Sequence, residues 1–342
     1  MPRRPTLESL ARELGVSRQT ISNAINRPEI VAPETLARVK AAIEAAQYTP
    51  SRAARQLRTR SSRTIGLRLM PNFDGINGHI LDLFIHELAE QARRSDYRLL
   101  VFAAEDTADE ISEYAHLAAA REIDGVILTS TTAQDPRFAW LSEHRVPFAS
   151  FGRPWSTTTP PEEAEFPWVD VDGAAGTEAV VERLVAAGHT RIGYVSWPIL
   201  PGVGQDRHDG WSRAIAAAGL RSTGLVCECE DDAIEARAAA GRLLDAGATA
   251  IVCASDTLAL GARAEAIRRD SRIVVVGFDD TPVARALQLN SVTQPVVAAA
   301  RQALAMLLER IQDPDARRHA LLTPTFVVRD ESLADGPTIP MR

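Results

Sequence analysis

Apolar residues near the start of the chain recur at helical spacing. Leu7, Leu10, Ala11 and Leu14 fall at i, i+3, i+4 and i+7, one stripe of a helix. Thr6 precedes the stripe as a capping residue, and Gly15 follows it where a helix commonly ends in a left-handed turn. Ser17 can cap a second helix, with Ile21, Ala24 and Ile25 on its inner side and Val16 in the turn. The pattern predicts two short helices joined by a tight turn, a pair too small to bury a core alone. A third helix is predicted from Pro33, with Leu36, Val39, Ile43 and Ala46 facing inward and Tyr48 and Pro50 at its end.

From Thr64 the period changes. The strand TIGLRLM precedes a helix over 80–94, the strand YRLLVF precedes a helix through 110–120, and DGVILTS and VPFASF are two more strands. After WVDVD the alternation resumes: helix 173–187, RIGYVS, helix 207–218, GLVCEC, helix 234–245, ATAIVCA, helix 257–269 and RIVVVGF. Strands alternating with helices predict parallel sheets covered on both faces. Two such series predict two similar lobes, with ligands bound beyond the carboxyl ends of the strands, where the lobes face each other. The loop 156–167 has no periodicity.

Charge divides the chain the same way. Residues 1–63 hold 12 Lys+Arg and 5 Asp+Glu, hence +7; the remainder of the 342 residues holds 26 and 40, hence −14. A basic head on an acidic body points to a polyanionic partner for the head alone. The composition, 45% hydrophobic and 24% charged, is that of ordinary globular protein. There is no apolar run of membrane-spanning length and no signal-peptide core, which leads to the expectation of a cytoplasmic protein. Cys227, Cys229 and Cys253 have neither disulfide nor zinc spacing, so neither a metal nor a cofactor is expected.

The helical pair has the proportions of a helix-turn-helix, whose second helix enters the DNA major groove. Arg18, Gln19 and Asn23 lie on the outer face of that helix, and these side-chain types pair with guanine and adenine edges. An ordinary helical hairpin with a polar face satisfies the same pattern. Residues 51–63, SRAARQLRTRSSR, read either as a solvated linker or as a short helix that forms on DNA, with its arginines on phosphates and Leu57 between base steps.

Taken in order, TLESLARELGVSRQTIS, YTPSRAARQLRTRSSRTIGL, IDGVIL, VDVDGAAGTEAVVERLVAAGHTRIGYV, RHDGW, TAIVCASDTLALGA, VVVGFDD and FVVRDES resemble the LacI/GalR family of bacterial transcription regulators. The resemblance covers nearly the whole chain. It implies a three-helix DNA-binding domain over 1–50, a hinge helix over 51–63, and a two-lobed core over 64–335 similar to periplasmic sugar-binding proteins. The chain would cross between lobes near Trp168, Val292 and Thr325. Arg18, Gln19 and Asn23 match the base readers. Ser17, Thr20, Ser22, Asn26 and Tyr48 match the phosphate contacts, which position without specifying. Thr6 joins the DNA-contacting set, and Leu57, beside Ala54, matches a minor-groove wedge. Arg207 and Asp279 match the positions that hold the effector. Ser255 departs from the more common Asn, and in DGINGH Asn77 keeps an Asn while His79 replaces an aromatic.

A sugar needs planar polar groups for its hydroxyl pairs, which Arg207 and Asp279 supply, and aromatic faces, for which Phe151, Trp155 and Trp197 stand just past strand ends. Each of these aromatics also reads as ordinary lobe packing. Arg153, in FGRPW, follows a strand end as well, and is counted with the effector residues. These features describe a repressor released from a near-palindromic operator by a glucoside or disaccharide; a corepressor-dependent regulator with a non-sugar ligand would use the same parts. A homodimer is expected, because ADGPTIPMR carries no leucine heptad. The rivals are an enzyme and a solute-binding protein. PGVGQDRHDG lacks a dinucleotide fingerprint's third glycine, and no nucleophile elbow, P-loop or His-rich metal spacing is present, so no catalysis is expected. A solute-binding protein has no use for residues 1–60.

Overall fold

Three helices close a small core at the head of the chain. The computed structural model describes residues 5–48, 61–69, 78–156, 160–329 and 333, and divides the chain into two compact units, 1–62 and 63–342. In the first unit, α1 spans Leu7–Leu14, α2 Arg18–Asn26 and α3 Pro33–Ala45. Thr6 Oγ1 accepts the Ser9 N–H at 3.1 Å while Ser9 Oγ accepts the Thr6 N–H at 2.8 Å, so each side chain satisfies the other residue's otherwise orphaned N–H. Gly15 ends α1 at φ +65°, a conformation cheap for glycine alone. Ser17 accepts the Thr20 N–H at 3.0 Å to start α2. Ala32 gives α3 no side-chain cap, and Pro33 supplies the helical φ at its first position. Leu10, Ile21 and Val39 are buried at the centre, and the Arg38 guanidinium donates to the Leu14 carbonyl at 2.9 Å, tying α3 to the end of α1.

The second unit contains two sheets of six strands each among the described residues. In the first, β1 (Thr64–Leu69), β2 (Arg98–Ala103), β3 (Gly125–Leu128), β4 (Phe148–Phe151), β5 (Trp168–Val171) and β11 (His319–Leu322) run parallel in the order β2-β1-β3-β4-β5-β11. In the second, β6 (Ile192–Ser196), β7 (Val226–Glu228), β8 (Ala250–Cys253), β9 (Val274–Phe278), β10 (Asn290–Thr293) and β12 (Thr325–Val327) follow the order β7-β6-β8-β9-β10-β12. Here β12 alone is antiparallel to its neighbour, β10. The matching orders make two similar lobes, each wound in both directions from its first strand. The crossovers are α4 (His79–Arg94), α5 (Thr107–Ala119) and α6 (Pro136–Glu143) in the first lobe. In the second they are α7 (Gly173–Ala186), α8 (Val203–Ala217), α9 (Ala233–Asp245), α10 (Asp256–Arg268) and α11 (Pro282–Ala286).

The chain passes between the sheets at Val171–Gly173, Thr293–Val296 and Leu322–Thr325, a few residues at most from the expected crossings. Beyond the predicted alternation lies α12 (Val296–Gln312), which returns to the first lobe. It buries Val296, Ala299, Ala300, Ala303, Leu304 and Leu307 against Ile65, Phe84 and Leu88. Its stripe is half alanine, so its apolar contrast is weak although its spacing is helical. In the second lobe α7 and α8 approach so closely that a Cβ on Gly210 would run into the Ala174 backbone. Gly210→Ala is therefore expected to destabilise this lobe by about 1–3 kcal/mol, the usual range for overpacking. Thermal unfolding of the full chain checks this, and an unchanged Tm would show that the two helices can slide apart without loss.

Candidate functional site

The carboxyl ends of both sheets meet at one cleft. A cavity of about 210 Å³ lies there. The first lobe contributes Ile80 at the start of α4, Ser130 and Thr131 after β3, Phe151 and Gly152 at the end of β4, and Asp170 on β5. The second contributes Trp197 after β6, Arg207 on α8, Asp231 after β7, and Phe278 and Asp279 at the end of β9. Gln294 reaches it from the second crossing.

Arg207 is held on every side. It is buried, with its guanidinium 3.7 Å over the Phe278 ring and 5.2 Å from the Trp197 ring centre, both within cation–π range. Nη1 donates to the Ala254 carbonyl and Nη2 approaches Asp279 Oδ1 at 3.4 Å. Nε has no partner among the described residues, nor does Trp197 Nε1. Asp279 also accepts from Gln294 Nε2 at 2.6 Å. Its backbone stands at φ +105°, strained for a residue with a Cβ. The strain is held from below by Asp256, which is fully buried: its carboxylate accepts the Thr281 N–H at 2.6 Å and the Ser291 hydroxyl at 2.6 Å, and Ser291 in turn accepts the Asp280 N–H at 3.0 Å. Burial pushes the Asp279 carboxyl up to about 7, against the pull of Arg207.

Other expected effector residues are placed differently. Phe151 lines the cleft and stacks on Phe84 at 4.5 Å, so one face of its ring is taken by the first-lobe core. Arg153 is spent on ion pairs: Nε to Asp170 at 2.7 Å in its own lobe and Nη2 to Asp206 at 3.2 Å in the other, with its guanidinium 4.7 Å over Trp155. Burial raises the Asp206 carboxyl, and Arg153 opposes that rise. Trp155 donates to Thr131 Oγ1 at 3.2 Å, which makes it a support of the cleft wall. His79 opens α4; desolvation, with Arg285 nearby, lowers its pKa and favours the neutral ring. Ser255 is 2% exposed and lies behind Asp231, donating to its Oδ1 at 2.5 Å while accepting the Leu258 N–H at 3.2 Å to cap α10. Asn77 lies outside the described residues. Asp231, Asp170 and Gln294 were not among the expected site residues, because each becomes part of a site only through the sheet topology.

In the head, Arg18 and Gln19 are exposed on α2 and Gln19 Nε2 donates to Asn23 Oδ1 at 2.8 Å, which places these two base-reading candidates on one helix face. Thr6 and Ser17 are used as helix caps, and Ser17 and Thr20 share a hydroxyl contact of 2.8 Å. Ser22 and Tyr48 are half-buried. Ala54, Leu57 and the Asn26 side chain lie outside the described residues.

The family model for bacterial regulatory proteins of the LacI family matches residues 6–51, and that for a periplasmic binding protein-like domain matches 181–332. The transcriptional regulator CelR of Thermobifida fusca is 32% identical over 345 residues, covering 96% of this chain and 98% of that protein. The chain belongs to the LacI family. This LacI-family protein is a helix-turn-helix transcriptional regulator. Its fold is similar to that of a CelR–cellobiose complex (28% identity, TM-score 0.69, 95% of this chain and 99% of that one). It is also similar to that of a lac repressor dimer bound to operator (22% identity, TM-score 0.82, 96% and 99%).

The position of Asp279 makes the stability of this regulator depend on pH. An unfolded aspartate titrates at about 4, so between that pH and about 7 the folded chain holds a proton that the unfolded chain has lost. The stability gained from that proton is complete below about pH 4 and is lost as pH rises through the folded value near 7. The Tm of the native chain should therefore fall relative to that of Asp279→Asn between pH 5 and pH 8. A difference independent of pH would show that Asp279 stays ionised throughout.

Proposed function

We propose that this regulator is a repressor that leaves a near-palindromic operator when a sugar, a glucoside or disaccharide, binds between its core lobes. One observation carries the reading: a guanidinium and a carboxylate, Arg207 and Asp279, converge with Trp197, Phe278 and Phe151 in an inter-lobe cavity, on a chain headed by a helix-turn-helix. Planar charged groups match vicinal hydroxyls, and aromatic rings match the C–H faces of a pyranose. The similarity to a CelR–cellobiose complex supports the sugar class.

In this reading two chains pair and set two heads on the operator. Arg18, Gln19 and Asn23 read bases; Thr6, Ser17, Thr20, Ser22, Asn26 and Tyr48 contact or brace against the backbone; Leu57, with Ala54 beside it, wedges the central minor groove. The effector sits against Arg207, Asp279, Trp197 and Phe151, with Arg153, Ser255 and His79 in support; Asn77 joins the effector set on the family resemblance alone. The ligand shifts the balance only by its difference in affinity for the closed and open lobes, about 1–3 kcal/mol in typical allosteric proteins. The work is binding and not turnover, and it takes place in the cytoplasm, where the operator is. Among the described residues no helix is long and apolar enough to cross a membrane.

Fluorescence anisotropy of the full chain on its own upstream DNA, at one fixed salt concentration, tests the proposal with and without a panel of mono- and disaccharides. Release by one sugar is expected; tightening by that sugar would make the protein corepressor-dependent, and indifference to all of them would remove the sugar. Arg207→Ala is expected to abolish the response, and a normal response would take Arg207 out of the site. Gln19→Ala should reduce discrimination between operator and unrelated DNA by about 1–3 kcal/mol. Equal discrimination would show that α2 does not read bases through that residue.

A further inference from the structure

A second cavity, of about 570 Å³, adjoins the cleft at the second crossing. Ile80, Asp279 and Gln294 line both spaces. The second is otherwise walled by Leu83 on α4, Arg285 on α11, and Val297, Arg301 and Gln302 on α12. Both lobes therefore contribute to it. Its volume lies inside the range usual for small-molecule sites, about 300–1,000 Å³.

The wall combines two chemistries. Ile80, Leu83 and Val297 form an apolar side, and Leu83 and Val297 are exposed despite their size. Arg285 and Arg301 form a cationic side, and the two are held alike. Arg285 Nε donates to the Asp280 carbonyl at 2.9 Å and to Asp280 Oδ2 at 3.1 Å. Arg301 Nε donates to Glu87 Oε1 at 2.7 Å, which ties α12 to α4. Each guanidinium is thus anchored through its inner nitrogen. Among the described residues, neither terminal nitrogen of either arginine has a hydrogen-bond partner, and both side chains are more than half exposed. The terminal edge left open is a fork that matches a carboxylate or a phosphate.

The nearby carboxylates do not cancel this charge. Asp280 is shared with Arg329, which approaches its other oxygen at 2.6 Å. Asp279 faces Arg207, and burial pushes its carboxyl up to about 7. Among the lining groups and their partners, cations outnumber fully ionised carboxylates.

We propose that this cavity is a second ligand site, separate from the effector cleft, for a small organic anion whose phosphate or carboxylate is held by Arg285 and Arg301 and whose apolar body lies against Ile80, Leu83 and Val297. The site does not rest on the identity of the effector. Arg285 belongs to the second lobe, and Ile80 and Leu83 to the first, so an occupant touches both lobes. It shifts the balance between lobe arrangements to the extent that it fits one of them better.

Isothermal titration of the full chain at one fixed, low salt concentration provides the test. The probes are naphthyl phosphate and naphthoate, with inorganic phosphate and naphthol each carrying half of the chemistry. The native chain should bind at least one of the organic anions about tenfold or more tighter than either half-probe, and the tighter of the two identifies the preferred head group. Arg285→Gln and Arg301→Gln should each weaken that binding by about tenfold or more, the loss usual for a charged hydrogen-bond partner. Each glutamine keeps an N–H donor for the carboxylate left behind, and unfolding curves of the unliganded variants establish that they are folded. Arg317→Gln should bind as the native chain does, because Arg317 is about as exposed but faces Glu165, outside the cavity. Failure of the native chain to bind either organic anion, or equal affinity for naphthol or for inorganic phosphate, would overturn the inference. Native affinity in both cavity variants would also overturn it, by moving the anion to another surface such as the basic head.

Discussion

Arg153 holds the core together where it is most divided. Its guanidinium is mostly buried between the end of the first sheet and the start of the second lobe's helices, bonded to Asp170 on one side and Asp206 on the other. Removing such charges from water is expensive, and pairing recovers the cost only when geometry is good and remaining donors are satisfied. Arg153 meets that condition: Nη2 also reaches the Val171 carbonyl at 3.1 Å, and Asp206 also accepts the Ala174 N–H at 3.1 Å. The pair therefore fixes the first crossing, and with it the residue that follows Asp206 in sequence, Arg207. Arg207 is thereby placed relative to the first lobe by an ion pair at the neighbouring residue.

The opposite wall depends on a second buried charge. Asp256 is held by neutral donors, the Thr281 N–H and the Ser291 hydroxyl. Burial raises its pKa while those bonds lower it. What they obtain is the shape of the turn over residues 279–281, with Asp279 at φ +105° facing Arg207. Glycine would adopt that conformation at less cost but would leave no carboxylate in the cleft, so chemistry and backbone strain are retained together.

The head could be read almost completely from sequence because its rules are local. Thr6, Gly15 and Ser17 act on groups within four residues, and the burial of Leu10 and Ile21 follows a stripe visible in the sequence. The parallel sheets and the two lobes of the core were implied by alternation, and Arg207 and Asp279 stood in motifs. Arg153 shows where such reading ends: nothing near it in sequence indicates partners 17 and 53 residues away, so an arginine past a strand end looks the same whether it faces a ligand or an aspartate. Asp231 was hidden for the converse reason. It lies in the acidic run CECEDD, which reads as a solvated loop until β7 places it at the cleft. The hinge positions Ala54 and Leu57 belong to a segment whose pattern supports both a linker and a helix.

The distribution of side chains across the cleft constrains how the two lobes can respond to a ligand. The charged groups lining the cleft lie mostly in the second lobe, on Arg207, Asp231 and Asp279, whereas the first lobe presents Ile80, Phe151, Ser130 and Thr131, and its Asp170 is already bonded to Arg153. On the reading proposed above, a ligand would make its charge-assisted hydrogen bonds on the second lobe, and closure would add apolar contact with Ile80 and Phe151 and hydroxyl contact with Ser130 and Thr131. Only that second, lobe-bridging part differs between open and closed states, so it alone can move the equilibrium. Binding strength would then follow the second lobe, and the size of the regulatory response would follow Phe151 and Ile80. On that reading the two properties would be separable by residue, because the fold places these side chains on different lobes.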